Sequence, residues 1–107
     1  AFAWLKARLV DRPATSIVHG DFRSGNFLVA PDGLVAVLDW ELAHLGDPHE
    51  DLGWLCCNSW RFGVWDKPVG GFGQREALYA AYEAAGGGPV DRDQAVWWEL
   101  LGTLKWG

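Results

Sequence analysis

Two short apolar runs separated by a turn sequence constrain the fold of this chain more than any other feature. The runs cover Phe27–Ala30 and residues 34–38, and Pro31-Asp32-Gly33 lies between them. Pro presets φ for the start of a turn, Asp hydrogen-bonds to its own backbone, and Gly accepts a positive φ. The pattern therefore predicts a β-hairpin with its reversal at residues 31–33.

Two registers of this hairpin place Asn26 and Asp39 differently. A two-residue turn at Asp32-Gly33 sets Asn26 directly opposite Asp39, with Cβ atoms about 4.5–5.5 Å apart. A type I turn with a Gly bulge shifts the pairing by one residue and sets Asp39 diagonally to Asn26. Both registers leave the amide and the carboxylate near the same end of the hairpin, where their oxygens can share a hard cation such as Mg²⁺.

Helices are predicted on both sides of the hairpin because apolar residues recur there at helical spacing. The predicted helices cover residues 2–11, the stretch after Asp47, residues 74–85 and the stretch from Asp91 to the chain end. Asp47 and Asp91 are N-cap candidates, and Glu50 and Gln94 occupy the positions that complete a capping box with each of them. With a short strand at residues 16–19, the sequence predicts an α+β fold in one domain.

The composition indicates a globular protein and excludes two classes of partner. Half of the 107 residues are hydrophobic and 21% are charged, so the chain can form a core. The formal net charge is −5 without any Lys/Arg cluster, and no apolar run is long enough for a membrane span, so neither nucleic acid nor membrane is expected. Cys56 and Cys57 are adjacent and fit neither a disulfide framework nor a zinc pattern, which predicts buried thiols in the reducing cytoplasm.

The stretch His19-Gly20-Asp21-Phe22-Arg23-Ser24-Gly25-Asn26 leads directly into the hairpin and carries the candidate chemistry. Phosphoryl transfer needs a carboxylate that orients an attacking hydroxyl and accepts its proton, together with a metal ion that neutralises charge on the phosphates. Asp21 fits the first task, while Asn26 and Asp39 fit the second. Arg23 follows Asp21 by two residues and can stabilise charge on the transferred group.

Three motifs in order resemble those of the aminoglycoside phosphotransferase and choline kinase superfamily, whose members are relatives of the protein kinases. Residues 19–26 follow the catalytic-loop pattern His-x-Asp-x-x-x-x-Asn. Val37-Leu38-Asp39-Trp40-Glu41 looks like the metal-binding segment that protein kinases write as Asp-Phe-Gly. Residues 46–52 resemble the Gly-Asp-Pro-x-x-Asp-Leu element of the superfamily. The combination looks closest to the kinase-like domains attached to some acyl-CoA dehydrogenases.

This resemblance implies that the chain is part of the C-terminal lobe of a protein-kinase-like fold, with the site-bearing hairpin packed among helices. It implies Asp21 as the catalytic base and Asn26 and Asp39 as the Mg²⁺ ligands that bind the cofactor. It also implies His19 and Asp51 as structural anchors of the catalytic loop. The implied reaction transfers the γ-phosphoryl group of ATP to a hydroxyl of a small-molecule substrate.

The nucleotide-binding lobe of that superfamily has no counterpart in this sequence. Neither its Gly-rich loop nor its paired Lys and Glu can be placed, and the chain contains no Met and opens inside an apolar, helix-like run. We therefore expect residues 1–107 to be a partial C-terminal lobe. Such a segment should be inactive alone and should depend on the N-terminal lobe of its own polypeptide.

Two other functions are compatible with the same residues. A pseudokinase-like module that binds nucleotide or serves as a scaffold would not need Asp21, Asn26 and Asp39 together. A Mg²⁺-dependent phosphohydrolase needs a positioned water and usually more carboxylates around its metal than this sequence supplies.

Several polar and aromatic residues are better explained by local structure than by chemistry. Asp32 is a turn residue, and Asp47 is interpreted as a helix cap without a functional role. No role is assigned to Glu41, His44 or His49. The Trp residues at positions 54, 97, 98 and 106 are predicted to be core. An aromatic-rich loop is predicted over residues 58–73, and its candidates for a substrate wall are Trp60, Phe62 and Trp65.

Overall fold

The computed structural model describes residues 2–7 and 15–106 of the chain. Over these ranges the chain forms four α-helices and two antiparallel two-stranded sheets, which confirms the predicted α+β class. In chain order the elements are α1 (Phe2–Ala7), β1 (Ser16–Val18), β2 (Phe27–Ala30), β3 (Gly33–Val37), β4 (His44–Gly46), α2 (His49–Leu55), α3 (Arg75–Tyr82) and α4 (Arg92–Trp106). The predicted helical residues 8–11 lie outside the described ranges. Within those ranges, no helix has the length and apolarity that crossing a bilayer requires.

The hairpin of β2 and β3 is present, but its turn lies one residue earlier than the first predicted register requires. Ala30 pairs with Gly33, so Pro31 and Asp32 form the two-residue turn. Gly33 then has a φ of +134°, a value that side-chain-bearing residues rarely adopt. A β-bulge follows, because the register shifts between Leu28 and Val29 and leaves an extra residue on β3.

The bulge decides how the two candidate metal ligands face each other. The backbone N–H of Leu38 donates to the carbonyl of Asn26 at 2.7 Å, so Leu38 is the residue opposite Asn26. The direct Asn26–Asp39 pairing is therefore wrong, and Asp39 lies diagonally to Asn26 as in the second register. The physical reason is that the turn at Pro31-Asp32 shifts β3 by two residues relative to that register, and the bulge recovers only one of the two.

A second small sheet, which the sequence patterns did not predict in full, brings the start of the candidate catalytic loop to α2. β1 pairs antiparallel with β4, with Val18 opposite His44. Val18 is completely buried, and the next residue in the chain, His19, is buried as well. The loop that begins after β1 is therefore anchored in the core rather than at the surface.

Packing of α2 against α4 forms the largest helix contact of the described chain. A Cβ atom added to Gly53 on α2 would lie 2.5 Å from the backbone nitrogen of Glu99, and one added to Gly102 on α4 would lie 2.6 Å from the sulfur of Cys57. Both glycines therefore allow the helices to approach closely. Side chains larger than hydrogen would force α2 and α4 apart.

The core beside these helices contains the two cysteines, as predicted. Cys56 and Cys57 are free thiols with no exposed surface. Burial raises the pKa of Cys56 to about 12 and that of Cys57 to about 11. Both sulfurs are therefore protonated at neutral pH and are poor nucleophiles. Leu52 and Leu55 of α2 are buried too.

Asp47 connects α2 to α4 rather than only capping α2. Its Oδ1 accepts hydrogen bonds from the backbone N–H of His49 at 3.0 Å and from the His49 ring at 2.6 Å. Its Oδ2 accepts from Gln94 and from the indole of Trp98, both at 3.0 Å. Because Asp47 is buried, these four donors replace the water that its carboxylate loses on folding.

Each predicted capping box also requires the side chain of Glu50 or Gln94 to accept the backbone N–H of its N-cap residue, and this part of both predictions is wrong. Asp91 does cap α4, since its Oδ1 accepts from the backbone N–H groups of residues 93 and 94. The side chain of Gln94, however, reaches Asp47, and the carboxylate of Glu50 contacts His44 at 3.0 Å. The physical reason is that each side chain has another hydrogen-bond partner within reach, Asp47 for Gln94 and His44 for Glu50. These partners compete with the backbone N–H of the N-cap residue.

Asp47→Asn should destabilise the protein by roughly 2–3 kcal/mol near pH 7, because an amide nitrogen would face groups that are themselves donors. Burial alone would raise the pKa of Asp47, but hydrogen bonds from His49, Trp98 and Gln94 outweigh it and hold the pKa below its ordinary value of 3.8. This stabilisation is present above the unfolded pKa and is lost as pH falls through the folded pKa. Urea unfolding should show a smaller difference in the free energy of unfolding between Asp47→Asn and the wild type at pH 3 than at pH 7. The control Asp66→Asn changes an exposed carboxylate and should change this free energy little at either pH. An equal difference at both pH values would contradict this account.

Candidate active site

The loop between β1 and β2 is held by α2 through Asp51. The Oδ2 of Asp51 accepts the backbone N–H of His19 at 2.8 Å, and its Oδ1 accepts that of Gly20 at 3.0 Å. Gly20 has a φ of +92°, and a Cβ there would lie 2.6 Å from the carbonyl oxygen of Leu42. Only glycine fits this position, so the backbone enters the loop along one fixed path.

His19 joins the candidate base to the candidate metal-binding strand. Its Nδ1 accepts the backbone N–H of Asp21 at 3.1 Å, and its Nε2 lies 2.8 Å from the carbonyl oxygen of Leu38, the residue before Asp39. This pair of contacts fits the tautomer with hydrogen on Nε2. The ring is buried and packs edge-on against Trp40 at 4.5 Å between centroids. His19 therefore couples the positions of Asp21 and Asp39.

The carboxylate of Asp21 is held by three side chains. Its Oδ1 accepts hydrogen bonds from Arg23 Nε at 3.1 Å and from the indole Nε1 of Trp54 at 3.0 Å. Its Oδ2 accepts from Asn26 Nδ2 at 3.0 Å, and the same nitrogen donates to the Asp21 carbonyl at 2.8 Å. The structure thus brings Asp21, Asn26 and Arg23 together, as expected for residues of one loop.

Arg23 lies between the carboxylate and an aromatic ring. Besides its contact with Asp21, its guanidinium carbon lies 4.8 Å from the ring centroid of Trp60, within cation–π range. Arginine suits this position because its planar group can stack and donate at the same time. Trp60 is the only one of the three loop aromatics predicted as a substrate wall that is not mostly exposed, since Phe62 and Trp65 are exposed.

Asn26 and Asp39 offer oxygen ligands from different environments. Asn26 is buried, and its amide nitrogen is occupied by Asp21, so its amide oxygen is the atom that can bind a metal. Asp39 is exposed and has a φ of +61°, a conformation that is uncommon outside glycine and clusters at functional sites. Oxygen ligands of this kind fit Mg²⁺, which usually takes only one or two protein carboxylates. Among residues 2–7 and 15–106, no three His, Cys, Asp or Glu side chains form a metal cluster.

A cavity of about 160 Å³ lies next to Asp21. Its lining is mainly apolar and comes from the loop between β1 and β2, from Leu42 before β4, from α2 and from α4 beyond residue 97. Charged groups in the lining are Asp21, Glu50 and Lys105, and the indole rings of Trp54 and Trp98 form part of its wall. A small molecule in this cavity would lie beside the carboxylate of Asp21.

The sequence assigned no role to His44, His49 or Glu41. In the structure His44 contacts Glu50, and His49 accepts the backbone N–H of Asp91 at 3.0 Å. The Leu42 carbonyl and then Glu50 raise the pKa of His44. Glu41 is exposed. The site residue that sequence reasoning missed is Trp54, which was assigned to the core because an indole on a helix carries no motif.

Comparison with known proteins identifies the family of this chain. A model of the phosphotransferase enzyme family (APH) matches residues 1–87. The chain belongs to this family. The crystal structure of a "putative aminoglycoside phosphotransferase" of Ralstonia eutropha JMP134 superposes with a TM-score of 0.65 at 31% identity, over 96% of this chain and 36% of that one.

The curated relatives of this phosphotransferase-family chain are much longer proteins. Mouse acyl-CoA dehydrogenase family member 10 is 46% identical over 55 residues, which are 50% of this chain and 5% of that protein. Human acyl-CoA dehydrogenase family member 11 is 42% identical over 52 residues, 46% of this chain and 7% of that protein. The probable acyl-CoA dehydrogenase IBR3 of Arabidopsis thaliana is 34% identical over 59 residues, 50% of this chain and 7% of that protein.

Proposed function

We propose that this chain carries the catalytic loop and the metal-binding hairpin of an ATP- and Mg²⁺-dependent phosphotransferase with a small-molecule alcohol as acceptor. The observation that carries the proposal is the placement of Asp21. Its carboxylate is fixed by three donors and borders a cavity of about 160 Å³, and Asn26 contacts the same carboxylate at 3.0 Å. A proton acceptor, a metal ligand and a space for an acceptor are thereby adjacent.

In the proposed reaction, the hydroxyl of the acceptor lies in this cavity and donates its hydrogen bond to Asp21. The hydroxyl oxygen forms a bond to the γ-phosphorus of ATP, the bond from that phosphorus to the β–γ bridging oxygen breaks, and ADP leaves. The hydroxyl proton passes to the Asp21 carboxylate. Because the carboxylate is already oriented, little reorganisation accompanies the transfer.

The surrounding residues have supporting roles in this proposal. His19 and Asp51 hold the loop that carries Asp21, and Arg23 keeps a positive charge beside the site, where the transferred group is negative. Mg²⁺, held by the Asn26 amide oxygen and the Asp39 carboxylate, would neutralise charge on the ATP phosphates when bound.

We also propose that the nucleotide-binding lobe belongs to the same polypeptide as this chain and that the enzyme is cytoplasmic. The first point is supported by the solved relative, because that protein is much longer than this chain, which covers 36% of it. The second is supported by two buried free thiols, which suit a reducing compartment. Residues 1–107 alone should then lack activity.

The test is phosphorus NMR of the complete natural protein with Mg·ATP and a panel of amino alcohols, sugars and hydroxyacyl compounds. The proposal predicts one phosphomonoester formed for each ADP with one class of acceptor. Release of inorganic phosphate without a phosphomonoester would establish a hydrolase instead. Nucleotide binding without turnover on any acceptor would establish a pseudokinase-like module.

A further inference from the structure

We infer that Trp54 is a positioning residue for the catalytic base, an inference that rests on the function proposed for Asp21. Trp54 lies on α2, 33 positions from Asp21 along the chain, and its indole Nε1 donates to Asp21 Oδ1 at 3.0 Å. The other two side chains that donate to this carboxylate, Arg23 and Asn26, come from the same loop as Asp21 itself. Trp54 is therefore the donor that ties the carboxylate to the helical core.

The indole of Trp54 is itself held in place from two sides. Its ring packs edge-on against Trp60, with 5.4 Å between centroids. On its other side α4 approaches so closely that a Cβ added to Gly102 would lie 2.8 Å from Trp54 Cε3. These contacts restrict the ring on the sides of Trp60 and α4, while another part of the residue lines the cavity. They hold its N–H beside the Asp21 carboxylate.

The contact also determines which oxygen of Asp21 can serve the acceptor. Each carboxylate oxygen has about two lone-pair sites. Among the side chains of the described residues, Oδ1 accepts from Arg23 and Trp54, whereas Oδ2 accepts from Asn26 alone. One lone pair thus remains, on Oδ2, and the structure assigns the acceptor hydroxyl to it. Without Trp54, Oδ1 would also be open and the carboxylate could turn away from the productive direction.

The test uses Trp54→Phe and Trp97→Phe in the complete natural protein. Trp97 is the control, because its buried indole also donates one hydrogen bond, to the carbonyl of Leu5 at 2.6 Å, and is not among the residues that line the cavity. Trp54→Phe should lower kcat roughly 10- to 100-fold, since a small misplacement of a catalytic group has effects of this size. KM for ATP should change less than about threefold, because Trp54 is not assigned to the nucleotide, whereas KM for the acceptor should rise, because Trp54 lines the cavity. Trp97→Phe should lower the melting temperature and leave kcat within about threefold of wild type.

An unchanged kcat in Trp54→Phe, or an equal loss in Trp97→Phe, would overturn the inference while the proposed function stands. A second readout does not need turnover: the indole ¹⁵N–¹H resonance of Trp54 should shift in Asp21→Asn, whereas that of Trp97 should not. If the wild-type protein transfers phosphate to no acceptor, the proposed function fails, and this resonance still decides whether the indole contacts residue 21. A Trp54 resonance unaffected by Asp21→Asn would refute the contact itself.

Discussion

Asp21→Asn should lower kcat for phosphotransfer about 10³-fold, the size expected when a general base is lost. The asparagine side chain has nearly the same shape, but its amide nitrogen would face either Asn26 or the donors Arg23 and Trp54. It also cannot take up the proton of the acceptor hydroxyl. Nucleotide binding should survive, because Asp21 is assigned to the acceptor and not to the metal. Steady-state kinetics and equilibrium titration of the nucleotide in the complete natural protein measure the two effects separately.

A control for this variant is Asp66→Asn, which changes an exposed carboxylate in the loop after α2. It should leave both kcat and nucleotide affinity at wild-type values. Wild-type turnover in Asp21→Asn would remove Asp21 from the role of base. A loss of nucleotide binding equal to the loss of turnover would move Asp21 to the metal site instead.

Asp51→Ala should reduce both stability and turnover, because the backbone N–H groups of His19 and Gly20 would lose their acceptor. Buried donors left without a partner destabilise a protein by about 1–3 kcal/mol each. The loop that carries Asp21 would then no longer be tied to α2, and kcat should fall about 100-fold. Urea unfolding and steady-state kinetics on the same preparation measure the two effects.

Asp91→Ala is the matched control, because Asp91 also accepts two backbone N–H groups, those of residues 93 and 94 at the start of α4. It should destabilise the protein by about 1 kcal/mol, as loss of an N-cap does, and leave kcat near wild type. If the two variants lose activity in proportion to their loss of stability, then Asp51 has no specific connection to the catalytic loop.

Local patterns predicted those parts of the fold that depend on near neighbours in the chain. The turn tripeptide predicted the hairpin, and Asp91 was recognised as a helix cap. The prediction of the register failed because the free-energy difference between Pro31-Asp32 and Asp32-Gly33 as turn residues is small. A bulge later in β3 then compensates for only one of the two residues of shift. Periodicity alone cannot place such a bulge.

Contacts between distant residues could not be predicted in the same way. Asp47 carries an ordinary cap signature, yet its second oxygen binds Gln94 and Trp98, which lie 47 and 51 positions away. Trp54 likewise carries the signature of a core residue, and its N–H reaches Asp21 in a loop that Asp51 holds against α2. Both partners depend on helix packing, which one sequence does not determine residue by residue.

Binding of Mn²⁺ in the presence of a non-hydrolysable ATP analogue, followed by electron paramagnetic resonance, tests the central claim most directly. In the complete natural protein, Asp39→Asn should weaken Mn²⁺ binding about 100-fold or more, because loss of even an outer partner of a metal ligand weakens binding 10- to 100-fold. Asp32→Asn, which changes an exposed carboxylate in the turn at the opposite end of the same hairpin, should bind Mn²⁺ like the wild type. Equal Mn²⁺ affinity in Asp39→Asn and the wild type would contradict the claim that this hairpin holds the metal.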